Sequence, residues 1–500
     1  MLSLLPKRRT LALWLILLLA IVASAIRGYD QVAQRMDDGA LLLYPELILK
    51  GWLPYRDFET FYGPANTYLL AGAYSLFQPG IFVERTIGLL YHLAVLAAIF
   101  CIVRPRGQAL ALGSVVIAHV LLLPTGLAPF PWLGALSCAF WSLFLAAKGP
   151  GTWRNFTAGI LAAAALLYRP DLAPAVILSA GLLLFFQPAK SRWTYLGGFA
   201  VGLLPLLLLV SSAGYQNVFA NLFLYPVVIT NAARRLPWSS LPLSLLYLLA
   251  LHFVSSFTNL LAGFVVLRKD STLWSNRLFA AAAVLALGTS YQALQRMDSG
   301  HITLCCFLSL ALLPVSLAIL FQNRLASPSR QLVSVGLTLA VVGALAPHLM
   351  RQSLGLGKKG AVFLEHNGRS FPVDSISTAR ETDVLLDKIT KLALPGQRLF
   401  VGPADLRRTN YNDTFIYHLL PQLTPATYFL EMNPLSANRP GSRLAGDIRS
   451  ADWLILDRRL DEWNEPNDSM RFGSNEPNEV VQSYFELSAR HGSYDLYRRK

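Results

Sequence analysis

Long apolar runs are the feature that most limits how this chain can fold. Each run is about 17 to 25 residues long, the length that a helix needs to cross roughly 30 Å of hydrocarbon. Hydrophobic residues make up 54% of the 500 residues and charged residues only 14%, too apolar a balance for one soluble core. Barrel strands would be about ten residues long and would alternate in polarity. The sequence therefore predicts an α-helical polytopic membrane protein.

The positions of basic residues predict how the chain threads the membrane, because short cytoplasmic loops are rich in Lys and Arg. Lys7, Arg8 and Arg9 predict a cytoplasmic N-terminus. The apolar stretch 65–80 breaks the alternation of basic loops if it is counted as a span, so we place it as a juxtamembrane or re-entrant segment on the outer side. An odd number of crossings then leaves the C-terminus outside. The eleven predicted spans lie near residues 10–26, 84–103, 108–124, 130–147, 156–168, 172–187, 193–212, 241–267, 278–294, 303–321 and 331–349.

The first run has an alternative reading as a cleavable signal peptide, because Ala23-Ser24-Ala25 is typical of a cleavage site. Under either reading residue 30 and those that follow emerge outside. The net charge of +14 is explained largely by inner loops that face anionic membrane lipids, so no nucleic-acid partner is predicted. All four cysteines fall in predicted spans, and their spacing indicates neither a disulfide framework nor a zinc site.

The composition changes near residue 351, where the long apolar runs stop. We therefore predict a transmembrane domain over residues 1–350, with a first outer loop at 27–83, and a small soluble extracytoplasmic α/β domain over 351–500. In the second part DVLLDKITKLAL reads as an amphipathic helix, whereas QRLFVGP, ADWLILD and SYDLYRR read as strands. The protein is expected in the cell (inner or plasma) membrane.

Charged residues collect at the predicted outer face, although the topology was drawn from the basic inner loops alone. A charge at the membrane boundary is costly unless it is paired or faces a wet cavity. Outer arginines also oppose the positive-inside bias, and a guanidinium matches the oxygens of a phosphate. These groups predict a cavity for an anionic ligand. The residues at this predicted face form four groups along the chain: Asp37, Asp38, Arg56, Asp57 and Glu59, with Tyr62 beside them; Arg169 and Asp171; Arg234 and Arg235; and Arg296, Asp298 and His301.

Simpler roles compete with this reading. Asp37 or Asp38 can cap a short helix that opens at Gly39, because a carboxylate satisfies free N–H groups at a helix start. Arg169 with Asp171, and Arg296 with Asp298, can be local salt bridges. His301 alone is a weak signal, and Tyr62 and Trp132 are typical of aromatic-belt anchors.

The order of these features resembles the GT-C superfamily of membrane glycosyltransferases. The resemblance rests on one span, an outer loop that opens with Asp37-Asp38, the motif GWLPYRDFETFYGP, many further spans and an external C-terminal domain. Within the superfamily the chain is similar to the protein mannosyltransferase and aminoarabinose transferase branch, the glycosyltransferase 39 and 83 type, and more loosely to the mycobacterial arabinofuranosyltransferases. The specific part covers about residues 30 to 90.

The resemblance implies transfer of a sugar from a polyprenyl-phosphate donor to a lipid, glycan or protein acceptor at the outer face. Asp37 matches the catalytic first acidic residue of the family, and Asp38 matches the second, which is usually Glu. The chain has Tyr62-Gly63-Pro64 where the aminoarabinose branch has Lys-Pro-Pro. Phosphate binding would therefore shift to an arginine, with Arg169 and Arg296 as leading candidates beside Arg56, Arg234 and Arg235.

The expected chemistry follows from what the glycosyl transfer implied by the resemblance needs. Asp37 would act as general base, and fixed arginines would stabilise the leaving phosphate. One base favours inversion by a hexosyl- or pentosyltransferase, although Asp57 leaves open a retaining mechanism with Asp57 as nucleophile. No spacing demands a metal, but Mg or Ca near Asp37 and Asp38 stays open. The alternatives are a transporter or flippase for a lipid-linked glycan or another anion, and a non-catalytic scaffold.

Overall fold

A computed structural model describes residue 19, residues 21–23, 26–322, 327–347, 351 and 360–500. Lys7, Arg8 and Arg9, most of the predicted span 10–26 and the last residues of the predicted span 331–349 lie outside these residues.

Helices dominate the chain up to residue 345. Pro226 lies inside a π-helical segment at Ala220–Ile229, and a ring without an N–H in the helix interior removes one of the regular hydrogen bonds. The α-helices are α1 Asp37–Leu49, α2 Pro64–Phe77, α3 Ile81–Val103, α4 Gln108–Leu122, α5 Pro131–Ala147, α6 Thr152–Tyr168, α7 Ala173–Phe185, α8 Ala189–Gly202, α9 Leu204–Ala213, α10 Tyr215–Phe219, α11 Asn231–Arg234, α12 Leu243–Lys269, α13 Trp274–Gly288, α14 Ser290–Gln295, α15 Ser299–Leu320 and α16 Pro328–Leu345.

Seven helical segments among the described residues are long and apolar enough to cross a membrane, and two shorter apolar helices accompany them. The predicted class, a helical polytopic membrane protein with a small C-terminal sheet, is confirmed. Each predicted span from 84–103 onward coincides with a helix or a helix pair, while the number of crossings stays a prediction. The stretch 65–80 forms the 14-residue helix α2.

The basic loops meet at one end of the helical bundle. The guanidinium of Arg106 donates to the side chain of Asn276, and that of Arg277 donates to the carbonyl of Phe186 at 3.1 Å. Lys269 reaches Gln322 at 3.3 Å. The predicted inner loops thus lie together, as the alternation of basic loops requires, while the side of the membrane that they face stays a prediction.

The C-terminal part holds a five-stranded sheet in the order β4-β3-β5-β7-β6 and a separate hairpin of β1 and β2. β3 pairs in parallel with β4 and β5, whereas β7 is antiparallel to β5 and β6. The three predicted strands and the amphipathic helix are found, as β3, β5, β7 and α17. The elements are β1 Val362–His366, β2 Arg369–Val373, α17 Ile376–Leu392, β3 Arg398–Pro403, α18 Phe415–Leu419, β4 Thr424–Pro425, α19 Leu444–Arg449, β5 Trp453–Asp457, α20 Glu476–Tyr484, β6 Phe485–His491 and β7 Tyr494–Arg499.

Helix α1, in the predicted first outer loop, packs inside the core of the C-terminal part. Leu42 and Leu47 of α1 belong to the same buried cluster as Leu399 of β3 and Phe415 of α18. The approach is close at Gly39, because a Cβ there would lie 2.4 Å from the backbone nitrogen of Phe415. The first loop and the C-terminal part therefore lie on one side of the bundle, although the boundary at residue 350 stays a prediction.

A buried ion pair also joins α1 to the C-terminal part. The Glu46 carboxylate, 4% exposed, accepts hydrogen bonds from the Arg369 guanidinium at 2.6 Å and meets the His418 ring nitrogen Nδ1 at 2.5 Å. Burial opposes ionisation of Glu46, but His418 and Arg369 outweigh it and hold the pKa of Glu46 below its usual value. Such a contact fixes the orientation of α1 because a buried carboxylate without its partners would be strongly unfavourable.

Candidate functional site

The two aspartates at the start of α1 point in different directions, because successive helix residues lie about 100° apart. Asp38 is 4% exposed, and its Oδ2 accepts a hydrogen bond at 3.0 Å from the backbone N–H of Gln34. Burial raises the pKa of Asp38 to about 6, although the charge of Arg85 lowers it. Asp37 is only partly buried and lines a cavity between α1 and α2. Helix α1 begins at Asp37, and Asp38 closes the turn that precedes it.

No hydrogen bond or ion pair from a described residue reaches the Asp37 carboxylate. Burial raises its pKa, while the charges of His301, Arg296 and Arg234 lower it. Asp298 lies close enough to oppose them. The carboxylate is thus surrounded by charge without being neutralised by direct contact, which leaves both its oxygens available to a substrate.

Arg169 is a buried and fully engaged guanidinium. It donates to both oxygens of Asp171, at 2.8 and 2.6 Å, and to the side-chain oxygen of Gln292 at 2.9 Å. Its guanidinium carbon lies 5.4 Å from the centre of the Tyr62 ring and 5.5 Å from that of Trp132. Tyr62 and Trp132, predicted as belt anchors, flank this cation, and Trp132 is 1% exposed. The local salt bridge between Arg169 and Asp171 is present.

The guanidinium of Arg296 is also occupied by hydrogen bonds and ion pairs, and some of its partners belong to the C-terminal part. It donates to Asp298 at 2.9 Å, to the Tyr411 hydroxyl at 3.0 Å and to the Glu465 carboxylate. Asp298 caps α15 by accepting the backbone N–H of His301 at 2.9 Å, and it also meets the His301 ring. Burial opposes ionisation of Asp298, but these contacts outweigh it and hold its pKa well below the usual value.

Arg234 differs from Arg169 and Arg296 in its contacts. It ends α11, directly after the π-helical segment, and is half-buried, with its guanidinium carbon 5.9 Å from the centre of the Phe61 ring. No described carboxylate forms an ion pair with it, yet its charge acts on Asp37 and Asp171. Its neighbour Arg235 is exposed. Arg169, Arg296 and Arg234 are the predicted arginines that are buried or half-buried. Among the described residues, Arg234 alone of these three has no salt bridge.

The predicted residues of the GWLPYRDFETFYGP motif divide into two groups. Arg56 donates to Asp57 at 2.9 and 2.8 Å, and Asp57 also accepts the backbone N–H of Leu53 at 2.8 Å. Glu59 is 1% exposed and accepts from Ser436 and from Asn433 of the C-terminal part. The first pair serves the local turn, whereas Glu59 anchors the motif to the C-terminal part. Burial raises the pKa of Glu59 to about 7.

One carboxylate in the cavity was missed by the sequence reasoning. Glu431, in the loop between β4 and α19, is 7% exposed and faces Asp37. The lining of the cavity also includes Tyr44, Tyr62 and Asn66. No local signal marks Glu431, because it lies far from the predicted membrane boundary in sequence and reaches the site only through the packing of the C-terminal part on α1.

Two groups of described side chains have the chemistry of metal ligands. His252 with Cys305 and Cys306 is buried in the bundle, and His366 with Asp383 and Asp387 lies on the C-terminal part. Asp37 and Asp38 turn apart instead of converging, and a divalent cation near them stays a prediction.

No family model matches the chain, and no curated protein matches its sequence. Solved structures do match its fold. The crystal structure of ArnT from Cupriavidus metallidurans bound to undecaprenyl phosphate aligns with a TM-score of 0.54 at 11% identity, over 97% of this chain and 98% of that one. The apo state of ArnT aligns with a TM-score of 0.53 at 11% identity, over 98% of both chains. The arabinofuranosyltransferase AftD from Mycobacteria aligns with a TM-score of 0.50 at 15% identity, over 97% of this chain and 40% of that one. The chain has a GT-C-like fold, as its sequence resemblance implied.

Proposed function

We propose that the chain is a membrane glycosyltransferase of the GT-C type, which transfers a sugar from a polyprenyl-phosphate donor to a lipid, glycan or protein acceptor. The proposal depends on which charged side chains of the site already have an ionic partner within the protein. Among the described residues neither Asp37 nor Arg234, whose charge acts on Asp37, has a direct ionic partner, whereas Arg169 and Arg296 are each neutralised by carboxylates. A base and a cation are thus both available to substrate in one place.

Asp37 is the general base of the proposed reaction. Its carboxylate takes the proton of the acceptor hydroxyl or amine as that group forms a bond to the anomeric carbon. The bond from the anomeric carbon to the phosphate oxygen breaks, and its electron pair leaves with the polyprenyl phosphate. Burial raises the pKa of Asp37, which makes its carboxylate a stronger base than an exposed aspartate.

Arg234 is the guanidinium that we assign to the leaving phosphate. A fixed cation in a site of low dielectric stabilises the charge that develops on the phosphate, and a guanidinium offers it paired donors. Arg296 supports the assignment indirectly, because it donates to the backbone carbonyl of Arg234 at 3.2 Å and so holds α11 in place. That ArnT, which shares the fold, was solved with undecaprenyl phosphate also favours a polyprenyl-phosphate donor.

The proposed transfer proceeds with inversion. A retaining reaction needs a second carboxylate as nucleophile. Asp57, the predicted candidate, is held by Arg56 and by the backbone of Leu53 and is not among the residues that line the cavity. A single displacement assisted by Asp37 is therefore the simplest chemistry for the site.

The test is a complementation experiment. Deletion of the gene should make the polyprenyl-phosphate sugar accumulate and should remove one glycosylated product, both of which mass spectrometry of lipid and glycan extracts identifies. Asp37→Asn should be inserted at the normal level but should not restore the product, whereas the control Asp57→Asn should restore it. Restoration by Asp37→Asn would refute the assignment of the base. Movement of a lipid-linked glycan across vesicles without a new glycosidic bond would favour the transporter instead.

A further inference from the structure

Glu431 brings a second carboxylate from the C-terminal part to the Asp37 cavity. Its side chain lines the cavity together with Asp37, Tyr44 and Tyr62. No described cation forms an ion pair with it, although it is 7% exposed. A buried carboxylate without a counterion is costly. Such groups are concentrated at functional sites, and the position of Glu431 in the cavity of the proposed base makes a substrate its natural partner.

The backbone around Glu431 is built to hold it in place. Met432 and Leu435 adopt positive φ angles of 55° and 64°, a strained conformation for bulky residues that tends to occur at functional sites. The side-chain amide of Asn433 donates to Glu431 at 3.3 Å and to Glu59 at 3.0 Å. Glu59 in turn accepts from Ser436. The loop thus presents Glu431 to the cavity in a fixed orientation.

The charges in the cavity separate two kinds of ligand. Asp37 and Glu431 form an anionic region in the lining of the cavity, and Arg234, whose charge acts on both carboxylates, forms a second, cationic region beside it. A phosphate is repelled by the first region and attracted by the second. A hydroxyl or an ammonium group, which donates hydrogen bonds, has the opposite preference. Burial and the charge of Asp37 raise the pKa of Glu431 to about 7, as expected when carboxylates share a cavity.

We infer that Glu431 binds a hydrogen-bond donor of the acceptor substrate, a hydroxyl or an ammonium group, and so places the acceptor beside Asp37. This inference rests on the proposed transfer reaction. It assigns to the C-terminal part a direct contact with the acceptor, whereas Arg234 contacts the donor phosphate from the helical part.

The first experiment measures binding without turnover. The intact protein in detergent is treated with a hydrophobic carbodiimide in the presence of glucosamine, glucose or undecaprenyl phosphate. Peptide mass spectrometry then quantifies total modification of Glu431, which counts the carbodiimide adduct together with the amide that glucosamine forms on the activated carboxylate. Protection by glucosamine alone indicates an ammonium site, and protection by both sugars indicates a hydroxyl site. Protection by undecaprenyl phosphate alone, or by none of the three, would overturn the inference. Because no transfer is needed, this result is independent of the complementation by Asp37 variants.

The second experiment separates acceptor from donor binding during transfer. Loss of a hydrogen bond to a charged group should raise the acceptor KM of Glu431→Gln about ten- to hundredfold, and leave the donor KM unchanged. Glu431→Asp should recover part of the loss, and Glu486→Gln, at an exposed position of β6, is the matched control. An unchanged acceptor KM, or a rise in the donor KM instead, would refute the assignment.

Discussion

Substitution of Gly39 by alanine should separate α1 from the C-terminal part. The new Cβ would lie 2.4 Å from the backbone nitrogen of Phe415 and 2.9 Å from its Cα. Ordinary contacts between heavy atoms are about 3.5 to 4 Å, so α1 must move by about 1 Å relative to α18. Backbone atoms cannot rotate away as a flexible side chain would, and the move displaces Asp37, two residues earlier.

The expected magnitude follows from two opposing effects. Overpacking of this kind costs about 1 to 3 kcal/mol, and the better helix propensity of alanine returns about 1 kcal/mol. A net loss of up to about 2 kcal/mol in the free energy of unfolding should therefore appear as a lower melting temperature in detergent. The transfer rate should fall about a hundredfold, because catalysis is sensitive to a displacement of about 1 Å.

Gly72→Ala is the matched control. Gly72 lies inside the helix α2, and a Cβ at this position would meet nothing within 4 Å. The control should gain about 1 kcal/mol from helix propensity and keep its transfer rate. If Gly39→Ala were as stable and as active as Gly72→Ala, the close packing of α1 on α18 and the dependence of Asp37 on it would both be refuted.

Three further substitutions test other parts of the structure. Arg369→Ala leaves the buried Glu46 without its cation and should lower the free energy of unfolding by about 3 to 5 kcal/mol, measured by thermal unfolding; a loss no greater than that of a surface substitution would contradict the buried pair. Arg234→Ala should weaken the binding of undecaprenyl phosphate about tenfold or more, whereas its exposed neighbour Arg235→Ala should not, and equal binding by both variants would remove Arg234 from the phosphate site. The raised pKa of Glu59, about 7, means that its contribution to stability is complete below its usual pKa and is lost as the pH rises through 7. Glu59→Gln should therefore flatten the fall in melting temperature between about pH 4.5 and 7, and an unchanged pH profile would show that Glu59 ionises normally.

Much of the helical architecture could be predicted because apolar length is a local property. The helices that coincide with the predicted spans and the strands β3, β5 and β7 were all visible in short windows of sequence. The same is true of the charged residues at the predicted outer face, because a charge beside an apolar run can be recognised in the sequence wherever its partner lies.

The partners of those charges could not be predicted in the same way. Arg169 meets Gln292, and Arg296 meets Glu465, across 123 and 169 positions of sequence. Only the packed structure shows that these two leading phosphate candidates are neutralised, which moves the assignment to Arg234. The position of Glu431 in the site could not be predicted for the same reason, because its neighbours there are distant in sequence. The divergence of Asp37 and Asp38, by contrast, follows from helix geometry once the helix start is known.

The shared core of α1 and the C-terminal part has a consequence for how the protein is made. Glu46 and His418 are 372 positions apart, so the ribosome has synthesised most of the polypeptide before this contact can form. The apolar face of helix α1 stays uncovered until the C-terminal part has been synthesised and has folded around it. A truncated or stalled product would consequently be inserted but inactive, and its uncovered helix would be a natural target for chaperones and proteases.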